Sequence, residues 1–261
     1  MIAPAKRLWE YRHVLRTTAF NDLRARYLGT SFGLVWLILY PLLFLGMYGT
    51  VYSQVLRIEV VGLSQLEYIQ IIFCGLVPFI GFSEALSTGV PSVMGNSGLI
   101  RNTMFPIELI SVKVVLTSAM PMAVSLFLLH LFLWSQGTFH IAQLCVPLYL
   151  GVQIVFSVGL IWLLSALTVF INDIAQLIGI VILFLMIVSP IAYTIDMVPD
   201  SLRPFLYPNP LFYMITLYRD AAFFGSFNFE LFVIFSSVSV VMFSLGWIVF
   251  VRLKPVFSDY V

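Results

Sequence analysis

Residues 32–52 read FGLVWLILYPLLFLGMYGTVY, a run without formal charge in which a ring recurs at every fourth position: Phe32, Trp36, Tyr40, Phe44, Tyr48 and Tyr52. A hydrocarbon core about 30 Å thick needs roughly 20 apolar residues in a helix, so the run is long enough to cross a bilayer. Pro41 interrupts it and removes the hydrogen bond to the Leu37 carbonyl. A step of four residues drifts by about 40° around a 3.6-residue helix, so six rings wind through roughly 200° and cannot share one face of a straight helix. Phe32 and Trp36 at one end, and Tyr48 and Tyr52 at the other, fall near the two interfaces, where aromatic belts gather. Tyr40 and Phe44 lie deeper, where a belt does not account for them.

The remainder of the chain has the same character. Of 261 residues, 61% are hydrophobic and 10% charged, whereas soluble domains carry about 25% charge. The chain therefore reads as a single all-α transmembrane domain over residues 1–261. Its uncharged runs place six spans at 32–56, 68–90, 114–134, 142–171, 174–194 and 231–251. An even number puts both termini on one side. That side would hold Lys6, Arg7, Arg12, Arg16, Arg24, Arg26, Arg101, Lys113, Arg252 and Lys254, against Arg57, Arg203 and Arg219 on the other. Basic residues favour the cytoplasm, so both termini are expected inside.

Three segments do not read as spans. Residues 1–30 have helical periodicity, with Leu8, Tyr11, Leu15 and Ala19 on one face and basic residues over much of the rest. Such a helix lies in the cytoplasmic interface, with Trp9 at headgroup depth. It is either an anchor held by anionic lipid, or one whose Arg24 and Arg26 meet a phosphate-bearing ligand. Arginine suits the second role because its planar fork makes paired hydrogen bonds to phosphate oxygens. The inner loop 92–113 carries Leu99, Ile100, Arg101, Met104 and Phe105 after a flexible Gly95–Gly98 stretch, a composition suited to docking on a partner. The outer segment 195–230 has prolines at 199, 204, 208 and 210 and a short apolar piece carrying Arg219 and Asp220. It is too short and too charged to span, so it reads as a helical hairpin at the outer mouth of a path, where irregular backbone is tolerated.

Several chemistries are missing. There is no GxxxxGK[ST] phosphate loop, and no HExxH, CxxC or GxSxG motif. His13, His130 and His140, and Cys74 and Cys145, show no metal-ligand spacing. Ion-coupled transporters carry ionisable groups at the bilayer midplane; here only Glu84 comes near one, while Asp173 at a turn fits a helix cap better than a proton relay. No cofactor, metal or nucleic-acid partner is expected of this chain. If it transports, the energy comes from another subunit.

The order of these pieces resembles the membrane subunit of type 2 ABC exporters of bacterial polysaccharides. The stretch NDLRARYLGTSFGLVWLILYPL supplies Asp22, Leu23, Arg26, Tyr27, Ser31, Gly33, Trp36 and Pro41 in the places of the family's segment before and within span one. GLIRNTMFPIELI is similar to the family's basic, aromatic and proline segment after span two. The outer segment matches through Asn209, Pro210, Leu211, Arg219 and Asp220.

The resemblance implies a homodimer in the bacterial inner membrane, served by two cytoplasmic ABC ATPase subunits that bind the ATP and Mg, so that the chain is not itself an enzyme. It implies a polysaccharide substrate linked to undecaprenyl diphosphate, with O-antigen of lipopolysaccharide ahead of capsule or teichoic acid. Trp36, Tyr40, Phe44 and Tyr48 would then face the sugar in a channel, and Arg24 and Arg26 the diphosphate. Loop 92–113 would couple to the ATPase, and Pro208, Asn209, Pro210, Arg219 and Asp220 would form the outer gate. An exporter subunit for drugs or small lipids, and a membrane enzyme acting on a lipid carrier, stand as alternatives.

Overall fold

The computed structural model describes residues 2–51, 64–96, 98 and 106–260. These residues are helical nearly throughout and contain no strand.

The basic N-terminal segment forms two helices, α1 (Ile2–Glu10) and α2 (Arg12–Tyr27), rather than one. Leu15, Ala19 and Leu23, spaced by four, are the buried face of α2, and Leu8 and Tyr11 continue that face half-buried. Gly29 and Gly33 adopt positive φ (87° and 50°), turning the chain through a short 3-10 segment into α3 (Trp36–Thr50). Positive φ is open to glycine and strained for other residues.

Four apolar helices are long enough to cross a membrane: Gln65–Gly89, Glu108–Ser135, Ile141–Thr168 and Phe229–Val256. Their regular cores are α4 (Gln65–Gly89), α5 (Glu108–Ser135), α6 (Val146–Thr168) and α9 (Phe229–Leu253). A capping box starts α4: the Ser64 hydroxyl accepts from the Glu67 amide at 3.3 Å, and the Ser64 amide donates to the Glu67 carboxylate at 2.8 Å. Helix α5 begins at Glu108, inside the stretch 92–113 expected to be a loop. Pro106 precedes this start, and Glu108 in the first turn complements the helix dipole.

The two other expected spans are shorter. The described apolar helix nearest 32–56 is Gly33–Met47, and residues 52–63 lie outside the described ones. The helix within 174–194 is α7 (Asp173–Val188). Sixteen residues rise only about 24 Å, less than a bilayer core. The helix stops because Pro190 cannot continue it and holds Ser189 in extended backbone. The chain then unwinds toward α8 (Pro210–Arg219), a five-residue π turn (Asp220–Phe224), and Gly225 at φ 69°. A Cβ at Gly225 would collide with the His140 ring, so only glycine lets the hairpin close against the loop between α5 and α6.

Helix α4 is the axis of the packing: 78% of its apolar window is buried, against 22% for the window of α9. Helix α9 packs mainly along a seam with α6, with a smaller contact to α8. At the seam Gly159 and Gly246 face each other, and a Cβ on either would meet the other helix's backbone. Small residues at such crossings let backbones approach closely in a membrane. Trp162, fully buried, packs beside this crossing with its ring 5.0 Å from Phe243 and 5.2 Å from Trp247.

Gly159→Val or Gly246→Val is expected to destabilise the detergent-purified chain by about 1–3 kcal/mol through overpacking. Gly151→Val, on the same helix with nothing within 4 Å of the added Cβ, is the control. Thermal unfolding of the three variants tests this; equal losses would remove the seam's special role.

Candidate functional site

The aromatic ladder divides as the geometry of a drifting stripe requires. Phe32 and Trp36 meet edge-on at 5.8 Å, and Tyr40 and Phe44 stack at 5.8 Å with 24° between planes. Tyr40 is 55% exposed, while Phe44 is half-buried against the core. The Tyr40–Phe44 pair therefore presents one ring face outward from the bundle, backed by the second ring. The side chain of Tyr48 lies outside the described ones. Most of α3 is exposed, as are Leu177, Ile180, Phe184 and Ile187 of α7. These two shorter helices carry broad uncovered apolar faces, as α9 does.

At the end of the bundle that holds the N-terminal helices, α2 is held by ion pairs. Asp22 meets Lys113 of α5 at 2.7 Å, and Arg26 pairs with Glu84 of α4. Arg26 is thus already engaged, so a phosphate reaching it competes with Glu84. Arg24 is exposed, with its guanidinium 5.7 Å from the Phe20 ring and no acidic partner among the described residues. The Glu108 carboxylate, 1% exposed, is ion-paired with Arg7 at 2.7 Å through Oε1 and accepts from Lys254 at 2.7 Å through Oε2. The Trp162 indole donates to the Glu108 carbonyl at 2.9 Å. Both termini therefore meet at one end of the bundle, beside the residues that follow the inner loop. The candidates Leu99, Ile100, Arg101, Met104 and Phe105 in that loop lie outside the described residues.

At the opposite end of the bundle, each carbonyl from Val188 to Tyr193, where α7 unwinds, has a donor. The Tyr193 hydroxyl donates to the Val188 carbonyl at 2.6 Å, and the Ile191 amide to that of Ser189 at 2.7 Å. Arg219 donates through Nη2 to the carbonyls of Pro190 (2.6 Å) and Ile191 (3.0 Å), and through Nη1 to that of Tyr193 (3.1 Å). The Tyr68 hydroxyl of α4 takes the Ala192 carbonyl at 2.7 Å. The same guanidinium reaches the Ile71 carbonyl of α4 through Nε at 3.4 Å. Arg219 is therefore buried inside the hairpin as a clamp.

Two further candidates meet at the start of α8. Asn209 caps α8 by accepting from the Leu211 amide at 3.0 Å, and its amide donates to the Ser189 hydroxyl at 3.0 Å. Pro210 fills the first helical position, where its missing N–H is not needed, and Pro208 is exposed before it. Burial pushes the Asp220 carboxyl up to about 6, against the pull of Arg219. Gln143 was not singled out in the sequence. Its amide donates to the Ala222 carbonyl at 2.9 Å and accepts from the Trp134 indole at 2.6 Å, tying the hairpin to the loop between α5 and α6. Among the described residues, no cluster of three His, Cys, Asp or Glu could hold a metal ion.

The family model described as ABC-2 type transporter matches residues 17–223. The chain is 26% identical over 241 residues to an O-antigen export system permease protein of Klebsiella pneumoniae, covering 92% of this chain and 91% of that one. An O-antigen export system permease protein of Myxococcus xanthus is 25% identical, with 84% of each chain covered. A polysialic acid transport protein of Escherichia coli is 24% identical, covering 77% of this chain and 78% of that one.

Arg219→Met is expected to cost more than about 3 kcal/mol of stability, because hydrogen bonds to a charged donor contribute about 1.5–3 kcal/mol each. Arg219→Lys recovers part of this, since an ammonium lacks the fork that reaches several carbonyls. Arg203→Met, which removes an exposed pair with Asp200, costs under about 1 kcal/mol. Thermal unfolding in detergent ranks the three. The unfolded chain sheds the Asp220 proton near the ordinary 3.8 and the folded chain near 6. Rising pH through that window therefore favours unfolding at this residue. Asp220→Asn is expected to flatten the fall in melting temperature between these two pH values.

Proposed function

We propose, from the premise that the chain belongs to the ABC-2 type transporter family, that it is the membrane subunit of an ATP-driven exporter of lipid-linked polysaccharide. The observation that carries this is the alignment of nearly the whole chain with permease proteins of O-antigen export. The substrate is O-antigen on undecaprenyl diphosphate, moved outward across the inner membrane. The match to polysialic acid transport proteins favours a capsular polysaccharide as the second reading.

The four long helices, with α3 and α7 as shorter crossings, give six spans with both termini in the cytoplasm. The meeting of Arg7 and Lys254 on one carboxylate supports this arrangement. Two copies form the channel, and the open apolar faces of α3 and α7 are suited to a second copy. The energy comes from two cytoplasmic ABC ATPase subunits, which bind the ATP and Mg. The inner loop 92–113 receives their motion and passes it to the Glu108 end of α5.

The Tyr40–Phe44 pair carries the sugar. A flat ring face grips the apolar face of a pyranose without selecting its hydroxyls, which suits a polymer that must slide. Trp36 and Tyr48 extend the surface at either end. Arg24 meets the diphosphate first, and Arg26 joins when the head group displaces Glu84. The outer hairpin gates the exit as one body, with Asn209 and Arg219 fixing its two ends.

Tyr40→Ala with Phe44→Ala is expected to reduce surface polysaccharide at least tenfold, a loss of about 1.4 kcal/mol or more in contact with the chain in transit. Phe32→Ala with Tyr52→Ala, in the belt positions, leaves most export intact. Surface polysaccharide is measured by immunoblot, and membrane levels of each variant by a tag. The opposite ranking would return the ladder to packing and belt duty.

A further inference from the structure

A groove of about 370 Å³ lies between the N-terminal helices and α5. Its walls are Leu8, Leu15 and Ala19 on one side and Leu116, Ala119 and Ala123 on the other. Three of these six are alanines, so the two helices stand together without filling the space between them. Below the groove α2 is pinned to α5 by the Asp22–Lys113 pair and by the Thr117 hydroxyl, which reaches the Ala19 carbonyl at 3.4 Å. The slot is therefore held open at a fixed width.

Arg12 and Arg16 stand at its rim, four residues apart on one face of α2. Neither is in an ion pair among the described residues. Arg12 donates to the Trp9 carbonyl at 2.9 Å and lies 4.8 Å from the Trp9 ring, both uncharged partners. Arg16 has no side-chain hydrogen bond among the described residues. This contrasts with Arg7, Arg26, Lys113 and Lys254, each of which meets a carboxylate. Trp9 itself is 69% exposed, as an indole at headgroup depth would be.

An apolar slot below two unneutralised guanidiniums complements an amphiphile with an anionic head. Water and sugar find no polar wall there, and a free phosphate would leave the hydrocarbon lining uncovered. We propose that the groove binds one anionic phospholipid of the cytoplasmic leaflet per chain, with an acyl chain between α2 and α5 and the phosphate on Arg12 and Arg16. The lipid completes the seat of the N-terminal helices. The site is separate from Arg24 and Arg26, which lie two turns further along α2, and it does not depend on the transported substrate.

The test is native mass spectrometry of the full chain in detergent micelles doped with phosphatidylglycerol, phosphatidylethanolamine or undecaprenyl phosphate. One phosphatidylglycerol per chain should be retained, in preference to phosphatidylethanolamine. Arg12→Gln with Arg16→Gln should weaken retention on the order of thirtyfold, since each basic residue near a bilayer surface contributes about fivefold. Both positions are exposed, so this variant keeps its fold. Ala119→Phe, which fills the slot and keeps both charges, should also abolish retention. Equal retention of the two phospholipids, unchanged retention in the double variant, or preferred retention of undecaprenyl phosphate would each overturn the proposal.

Discussion

A helix that stops inside a packed bundle leaves carbonyl oxygens that must find donors, and the stretch from Val188 to Tyr193 is where this chain meets that constraint. Each unpaired carbonyl in hydrocarbon costs several kcal/mol. One guanidinium, on Arg219, takes three of the stretch's carbonyls and a fourth on α4. Two tyrosine hydroxyls and one amide take the rest. Arginine is the side chain with enough donors in a fixed fork to do this from a single position. Because the clamp holds, α7 can end early, and because α7 ends early, α8 can fold back against α4.

The opposite end of the bundle is organised by charge pairs. Asp22, Glu84 and Glu108 each meet a cation from a different part of the chain. Exposed pairs of this sort stabilise little. Glu108 differs because it is buried, and a buried carboxylate that loses its partners is strongly destabilising. The two ends of the molecule thus use opposite devices. At the Arg219 end a buried cation serves neutral carbonyls, and at the Glu108 end a buried anion serves two cations.

The family resemblance, the apolar runs and the clustering of basic residues were legible because hydropathy and charge act over long stretches. The buried face of the N-terminal helices was legible too, since Leu15, Ala19 and the half-buried Leu8 and Tyr11 follow a simple spacing. The end of α7 at Val188 was not, although Pro190 stood in plain view. The uncharged run continues past it, and hydropathy does not register a backbone break. Arg219 reads as a charge in an outer loop, and only the fold brings it to carbonyls some 29 residues away in sequence. Glu84, Glu108 and Gln143 were missed as contacts for the same reason: their partners lie 58, 146 and 79 residues distant.

The convergence of Arg7 and Lys254 on Glu108 also has a bearing on biogenesis. A ribosome makes Arg7 before Glu108 and Lys254 long after it. Glu108 therefore passes through much of synthesis with one of its two partners. That end of α5 stays provisional in the meantime. It becomes permanent only when Lys254 arrives, so a buried charge near the middle of the chain waits on residues made long after it.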